Sequence, residues 1–282
     1  MPDDSILIRV GHSPDPDDAF MFYALARELI DTRPYRYTHE MADIESLNRR
    51  AMAGELEVSA ISIHSYPYVR DKYALLASGC SMGDGYGPMV ITREAMSIDD
   101  LRGKLIAVPG ERTTAFLALT MCLGRGNFRH KVVMFDEIPD AVVRGDVDAG
   151  LIIHEAQLTY QRLGLHKVVD LAEWWGGETD LPLPLGGNVV RRDLGPEAMH
   201  TVAKQLRAAI EYGLEHRKEA IAYALQFGRG LDTALTDKFI EMYVNKWTVD
   251  YGERGRKAVR ELLSRAHAAG IVPDPGEIEF IG

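Results

Sequence analysis

Short apolar runs rich in Val and Ile alternate along this chain with stretches of helical spacing, and that alternation points to βαβ units on a largely parallel sheet. The runs predict strands at Ile6–Val10, Val58–Ile63, Met89–Thr92, Leu105–Val108, Lys131–Phe135, Ala149–Ile153, Lys167–Asp170 and Asn188–Val190. Between them, apolar residues three and four apart predict helices that include Asp17–Ile30, Glu45–Ala53, Thr113–Leu123 and Pro139–Arg144. From Pro196 onward the pattern is almost wholly helical. Met199, Val202, Leu206, Ala209, Ile210 and Gly213 share one face, as do Val259, Leu262, Leu263 and Ala266 within Lys257–Ala269. Such stripes are core faces rather than cofactor contacts. The fold class read from the residues is α/β with a helical C-terminal third.

Two Gly- and Pro-rich stretches each run into an apolar strand: Gly83–Pro88 into Met89–Arg93, and Leu181–Gly187 into Asn188–Arg192. A pair of such segments suits a double hinge. The expected lobes are residues 1–88 with 190–282, and residues 89–189, with a ligand cleft between them.

The 282 residues are 46% hydrophobic, enough to bury a core unaided. A net charge of −10 argues against the concentrated basic surface that nucleic-acid binding requires. The run Arg254–Arg260 alternates with Glu and apolar residues, as a solvated helix face does. Cys80 and Cys122 are too few and too far apart for a zinc site or a disulfide framework, so no metal is expected. The acidic segment Met1–Ser5 leads straight into Ile6–Val10, unlike a secretory signal, and no run approaches the roughly 20 apolar residues of a membrane span. A soluble cytoplasmic protein is expected.

Four segments combine a strand end with reactive or anion-binding residues. Ala149–Ile153 ends in His154 and Glu155; in an open sheet a side chain there looks into the ligand crevice, and a helix starting beyond it would favour a neutral imidazole able to act as a base. The alternative is a capping or core histidine. Val108–Phe116 turns through Pro109 and Gly110 and opens a helix at Thr113, Thr114 and Ala115, whose free N–H groups, threonine hydroxyls and helix dipole together could hold a carboxylate or phosphate, the Thr114 hydroxyl being expected to hold the carboxylate. An ordinary threonine N-cap explains the same residues. His12–Phe20 carries Asp15, Asp17 and Asp18, as helix-capping carboxylates or a magnesium site. Ser59–Tyr66 offers Ser62 to the same cleft. All four are expected to wall one cavity, from 10–13, 59–62, 108–110 and 150–154. No G-x-S-x-G elbow, Walker loop or dinucleotide fingerprint is present.

Taken in order, S-P-D-P-D-D-A-F-M-F-Y-A-L (13–25), V-P-G-E-R-T-T-A-F (108–116), G-D-V-D-A-G-L-I-I-H-E (145–155), L-P-L-P-L-G (181–186) and Y-V-N-K-W-T-V-D-Y-G (243–252) resemble the 1,4-dihydroxy-6-naphthoate synthase family of the futalosine route to menaquinone. The resemblance covers nearly the whole chain. It implies a two-lobed fold like the type II periplasmic binding proteins, and a carbon–carbon lyase that needs no cofactor. The implied reaction cleaves cyclic dehypoxanthinylfutalosine to 1,4-dihydroxy-6-naphthoate with release of dihydroxyacetone. The family's proton acceptor falls on His154, and its substrate contacts fall on Thr114, Ala115 and Ser62, with Thr113 opening the same helix. The implied partner is a small carboxylated aromatic substrate, with no nucleic acid and no membrane. The chain departs from the common S-P-C-P-N-D-T-F motif at Asp15, Asp17 and Ala19, and carries Ala60 where a lysine is common. Two other readings share the fold: a non-catalytic carboxylate-binding protein and the sister chorismate dehydratase. Oligomeric state is not legible.

Overall fold

The computed structural model describes residues 5–228 and 231–282. In chain order its strands are β1 (Ile6–His12), β2 (Tyr35–Met41), β3 (Val58–Ser62), β4 (Tyr73–Leu76), β5 (Ser81–Gly83), β6 (Met89–Thr92), β7 (Leu105–Val108), β8 (Arg129–Val132), β9 (Ala149–Ile152), β10 (His166–Asp170), β11 (Leu183–Arg191) and β12 (Phe280–Ile281). Its helices are α1 (Pro16–Met21), α2 (Tyr23–Ala26), α3 (Ile44–Ala53), α4 (Tyr66–Val69), α5 (Thr114–Leu123), α6 (Ile138–Arg144), α7 (Ala156–Thr159), α8 (Leu171–Thr179), α9 (Pro196–Glu215), α10 (Arg217–Ala224), α11 (Thr233–Tyr243), α12 (Lys246–Val249) and α13 (Gly252–Ala268). The helical C-terminal third appears as α9 to α13.

The strands form two sheets. A seven-stranded sheet runs β12-β4-β11-β3-β1-β2, with β5 also pairing β11, and a five-stranded sheet runs β10-β6-β9-β7-β8. The chain leaves the first sheet after β5, through Asp84–Pro88, and returns to it through Asp180–Pro182 into β11. The expectation of a largely parallel sheet is corrected. Parallel pairs (β1–β2, β1–β3, β7–β8, β7–β9) lie where helices cross over, but β11 runs antiparallel to β3 and β4, and β6 runs antiparallel to β9 and β10. Both β6 and β11 enter from the other sheet, so no helical crossover constrains their direction.

Local differences have local causes. Phe22 leaves helical dihedrals, so the expected helix Asp17–Ile30 becomes α1 and α2 and stops at Ala26. The strand expected at Lys131–Phe135 lies earlier, at Arg129–Val132, where it pairs with β7; its side chains are exposed and lack the apolar signal of a buried strand. β2, sequence Y-R-Y-T-H-E-M, escaped notice for a similar reason, being a half-exposed edge strand without Val or Ile. β11 begins earlier than Asn188 because Pro184 sits opposite Met82 beside a register shift, where a missing N–H is tolerated.

One apolar cluster joins Ile61 and Leu75 of the first sheet to Val90, Ile106 and Leu151 of the second, by way of Leu117 and Trp175. A second packs α1, α9 and α10 on β1. No helix among the described residues is long and apolar enough to cross a membrane.

Gly150 sets how closely α6 approaches β9. A Cβ there would lie 2.6 Å from Ile138 Cγ2 and 2.7 Å from Val142 Cγ2, both buried and branched. Gly150→Val therefore destabilises the protein by about 1–3 kcal/mol, despite valine's strand preference, because the overpacked core cannot move away. Urea denaturation checks this: the midpoint falls while the slope is unchanged.

Candidate active site

The four motif segments meet at one cavity, but through Ser13 and Asp15, Ala60–Ser62, Thr113–Ala115 and Ile153–His154 rather than through the expected 108–110, and not at one end of a single sheet. β1 and β3 belong to the first sheet, β7 and β9 to the second, and their carboxyl ends face one another across a cavity of about 760 Å³, counted to its open mouth. Asp15, Ser62, Thr114 and His154 all line it, together with Ala60, Thr113 and Ala115.

His154 lies two residues beyond β9 with φ of 56°, a left-handed conformation that a residue with a Cβ adopts at a cost. The side chain is 18% exposed. Its Nδ1 lies 3.4 Å from Asp15 Oδ2, and the edge of its ring meets Phe135 at 4.9 Å. Its Nε2 is buried and has no hydrogen-bond partner among the described residues. The expected helix beyond it is only the four-residue α7 followed by a 3-10 turn, too short for much dipole. What faces the imidazole is carboxylate. The side-chain amide of Gln157 braces the turn: its oxygen accepts from the His154 N–H (3.2 Å), and its nitrogen donates to the Gly87 carbonyl (3.1 Å) and the Tyr243 hydroxyl (2.7 Å).

The acidic turn is buried. Asp15 occupies the N-cap position of α1 but makes no side-chain cap there. Asp18 accepts from Ser13 N–H at 2.6 Å; burial, then the charge of Asp15, pushes its carboxyl up to about 7 against that hydrogen bond. Asp17 is held well above the usual carboxylate range by burial, then by Asp18 and Asp15, with His154 pulling the other way. Burial of adjacent carboxylates thus favours a proton on Asp17 at neutral pH and leaves Asp18 titrating near it. Among the described residues, no three His, Cys, Asp or Glu side chains form a metal-holding group.

Opposite lies the N-terminus of α5. Thr113 is its N-cap, accepting from Phe116 N–H at 3.2 Å and donating to Gly110 O at 2.8 Å. The Thr114 hydroxyl donates to Leu185 O (2.6 Å) and accepts from His64 N–H (3.1 Å), so its proton is committed within the protein. What Thr114 and Ala115 offer a ligand is their first-turn N–H groups, which have no intrahelical acceptor. Ser62 complements them: its N–H donates to Asn48 Oδ1 (2.8 Å), its oxygen accepts from Asn48 Nδ2 (3.1 Å), and its own proton stays available to the cavity. Ala60 contributes a methyl group and pairs with Asn188 on β11.

Sequence reasoning missed Asn48, Gln157, Asn188 and Tyr243. Asn188 is 1% exposed and donates to Gly79 O at 2.8 Å, while its Oδ1, on the cavity wall, has no partner among the described residues. An Asn inside an otherwise apolar strand was the available signal. The segment 243–252 sends Tyr243 to the cavity, and its backbone holds the loop behind Asn188 through Gly79 N–H to Thr248 O (2.7 Å) and Tyr251 N–H to Ala77 O (3.2 Å).

The menaquinone biosynthesis family model matches residues 8–268. A 1,4-dihydroxy-6-naphthoate synthase of Streptomyces coelicolor is 42% identical over 95% of this chain and 96% of its own length. One from Thermus thermophilus is 39% identical over 95% and 97%. A crystal structure of an Archaeoglobus fulgidus protein, 45% identical, superposes with a TM-score of 0.90 over 94% of this chain and 98% of that one. The alkanesulfonate-binding protein of Xanthomonas axonopodis, solved with MOPS bound, shares the fold at a TM-score of 0.71 and 14% identity, covering 96% of each chain. On a binding-protein scaffold built of two mixed sheets, with near full-length identity to two such enzymes, the chain belongs to the menaquinone biosynthesis family, among its 1,4-dihydroxy-6-naphthoate synthases.

Proposed function

We propose that the cavity between the sheets binds cyclic dehypoxanthinylfutalosine and fragments it to 1,4-dihydroxy-6-naphthoate and dihydroxyacetone. The two walls are the lobes formed by residues 1–88 with 190–282 and by residues 89–189. The observation that carries this reading is the pairing of an unpartnered imidazole nitrogen, His154 Nε2, with free first-turn N–H groups across one cavity. A small carboxylated aromatic substrate fits such a division of labour. Thr114 and Ala115 N–H with the Ser62 hydroxyl hold the carboxylate, leaving the reacting carbon near His154. His154 then removes a proton, and the electron pair released makes the second ring aromatic as the three-carbon fragment departs. Burial of both walls excludes water from the intermediate. We place the work in the cytoplasm, where free thiols such as Cys80 and Cys122 persist.

Incubation of the purified protein with the cyclic substrate, followed by mass spectrometry, yields 1,4-dihydroxy-6-naphthoate; ligand binding without turnover would instead favour a binding protein of this fold. His154→Asn folds normally, since Asn tolerates the left-handed backbone there. It binds substrate within about tenfold but loses on the order of 10²–10⁴ in kcat. The wild-type kcat falls as the pH drops through imidazole protonation, because only the neutral ring accepts a proton, and this limb is absent from His154→Asn.

Ser62→Ala and Thr114→Val separate binding from architecture. Ser62→Ala removes one hydrogen bond to a charged group, raising KM by roughly tenfold to a hundredfold, equivalent to about 1.5–3 kcal/mol, with little change in thermal midpoint. Thr114→Val strands the Leu185 carbonyl and the His64 N–H, and so lowers folding stability by about 1–3 kcal/mol in calorimetry.

A further inference from the structure

His154 and Asp15 come from opposite walls: His154 follows β9 of the five-stranded sheet, and Asp15 sits in the turn after β1 of the seven-stranded one. Asp15 is fully buried, occupies a helix N-cap without capping, and places Oδ2 3.4 Å from His154 Nδ1. We propose that Asp15 is a positioning residue for His154: its carboxylate holds the proton on Nδ1, leaving Nε2 as the proton acceptor in the cavity, so that the base is completed only when the two walls close. This rests on the reading of His154 as the base.

Three observations support the assignment. The imidazole has two nitrogens, and the geometry divides them: Nδ1 lies beside a carboxylate, whereas Nε2 is buried with no hydrogen-bond partner among the described residues, on a residue that lines the cavity. The strained backbone at His154, φ 56°, aims the ring; it is stabilised by Gln157 on the His154 N–H and by Phe135 against the ring. Finally, burial counters the charge of neighbouring groups: Asp17 is held well above the usual carboxylate range by burial beside Asp18 and Asp15, Asp18 is raised to about 7, and burial raises the Tyr243 hydroxyl on α11 far above its usual range. Glu155 adjoins the histidine on its own turn. Asp15 is therefore the carboxylate within ion-pair distance of Nδ1. It fixes the tautomer and stabilises the imidazolium formed when Nε2 accepts the substrate proton, as orienting carboxylates do beside other histidine bases.

The test reads the histidine directly and the reaction separately. In wild-type protein, nitrogen-15 NMR of the neutral His154 ring shows the Nδ1–H tautomer; a dominant Nε2–H tautomer overturns the proposal whatever any variant does. Asp15→Asn lowers kcat by on the order of 10²-fold with KM within about threefold, because it loses the orienting charge and leaves the carboxylate-binding wall intact. The acid limb of its kcat profile and the His154 titration both move to lower pH by about one unit or more, since the stabilised imidazolium has lost its counter-charge. Asp15→Glu, which keeps the charge, moves both back toward wild type. A limb and a titration that stay at the wild-type pH in Asp15→Asn overturn the proposal, even if kcat falls. Product formation by the wild type tests the reaction, whereas tautomer and titration test the pairing, so the two can fail independently.

Discussion

The site depends on one contact, the seam where the loop before α5 is hydrogen-bonded to the opposite sheet's elements. Arg112 N–H donates to Glu45 (3.0 Å), and Arg112 O accepts from Asn48 (3.3 Å) and Ser65 (3.1 Å). The Arg112 guanidinium lies 4.1 Å from the centre of the Tyr68 ring, and Gly110 has room only for a hydrogen against Glu45. His64 completes the seam, its N–H on Thr114 and its Nδ1 3.1 Å from Thr113 O; burial lowers the imidazole to about 4, so it is neutral near pH 7. These bonds seat the positive end of α5 beside Ser62. They also set the separation of the walls, and with it whether Asp15 can reach His154.

Electrostatically, the cavity is divided into two halves. One half is α5's N-terminus and the Ser62 hydroxyl, donors without a formal charge, which suit a carboxylate while avoiding the desolvation of a buried cation. The other half concentrates carboxylates against an imidazole, and burial raises the carboxyls of Asp17 and Asp18 above their usual range.

The cavity brings together residues that neither sheet holds alone. Ser62 and Asn48 belong to the first sheet's side, Thr114 and His154 to the second, while Gln157 links the His154 turn to Gly87 on one crossing and to Tyr243 on α11.

The sequence by itself determined the alternation of strands and helices, the helical final third and the four strand ends that carry chemistry. It did so because apolar periodicity reports which face of each element is buried, and that is a local property. The motif order also identified the family and singled out His154. Where a strand was exposed, as β8 and β2 are, the periodic signal failed and its boundary or existence was missed. Tertiary structure alone decided that β6 and β11 run antiparallel, that the Thr114 hydroxyl is committed to Leu185 and His64, and that Asp15 faces His154. Asn48, Gln157 and Asn188 likewise gain meaning only from partners far away in the chain. A polar side chain's role depends on what reaches its donor or acceptor, and that is set by how the two sheets approach each other, which no local pattern encodes.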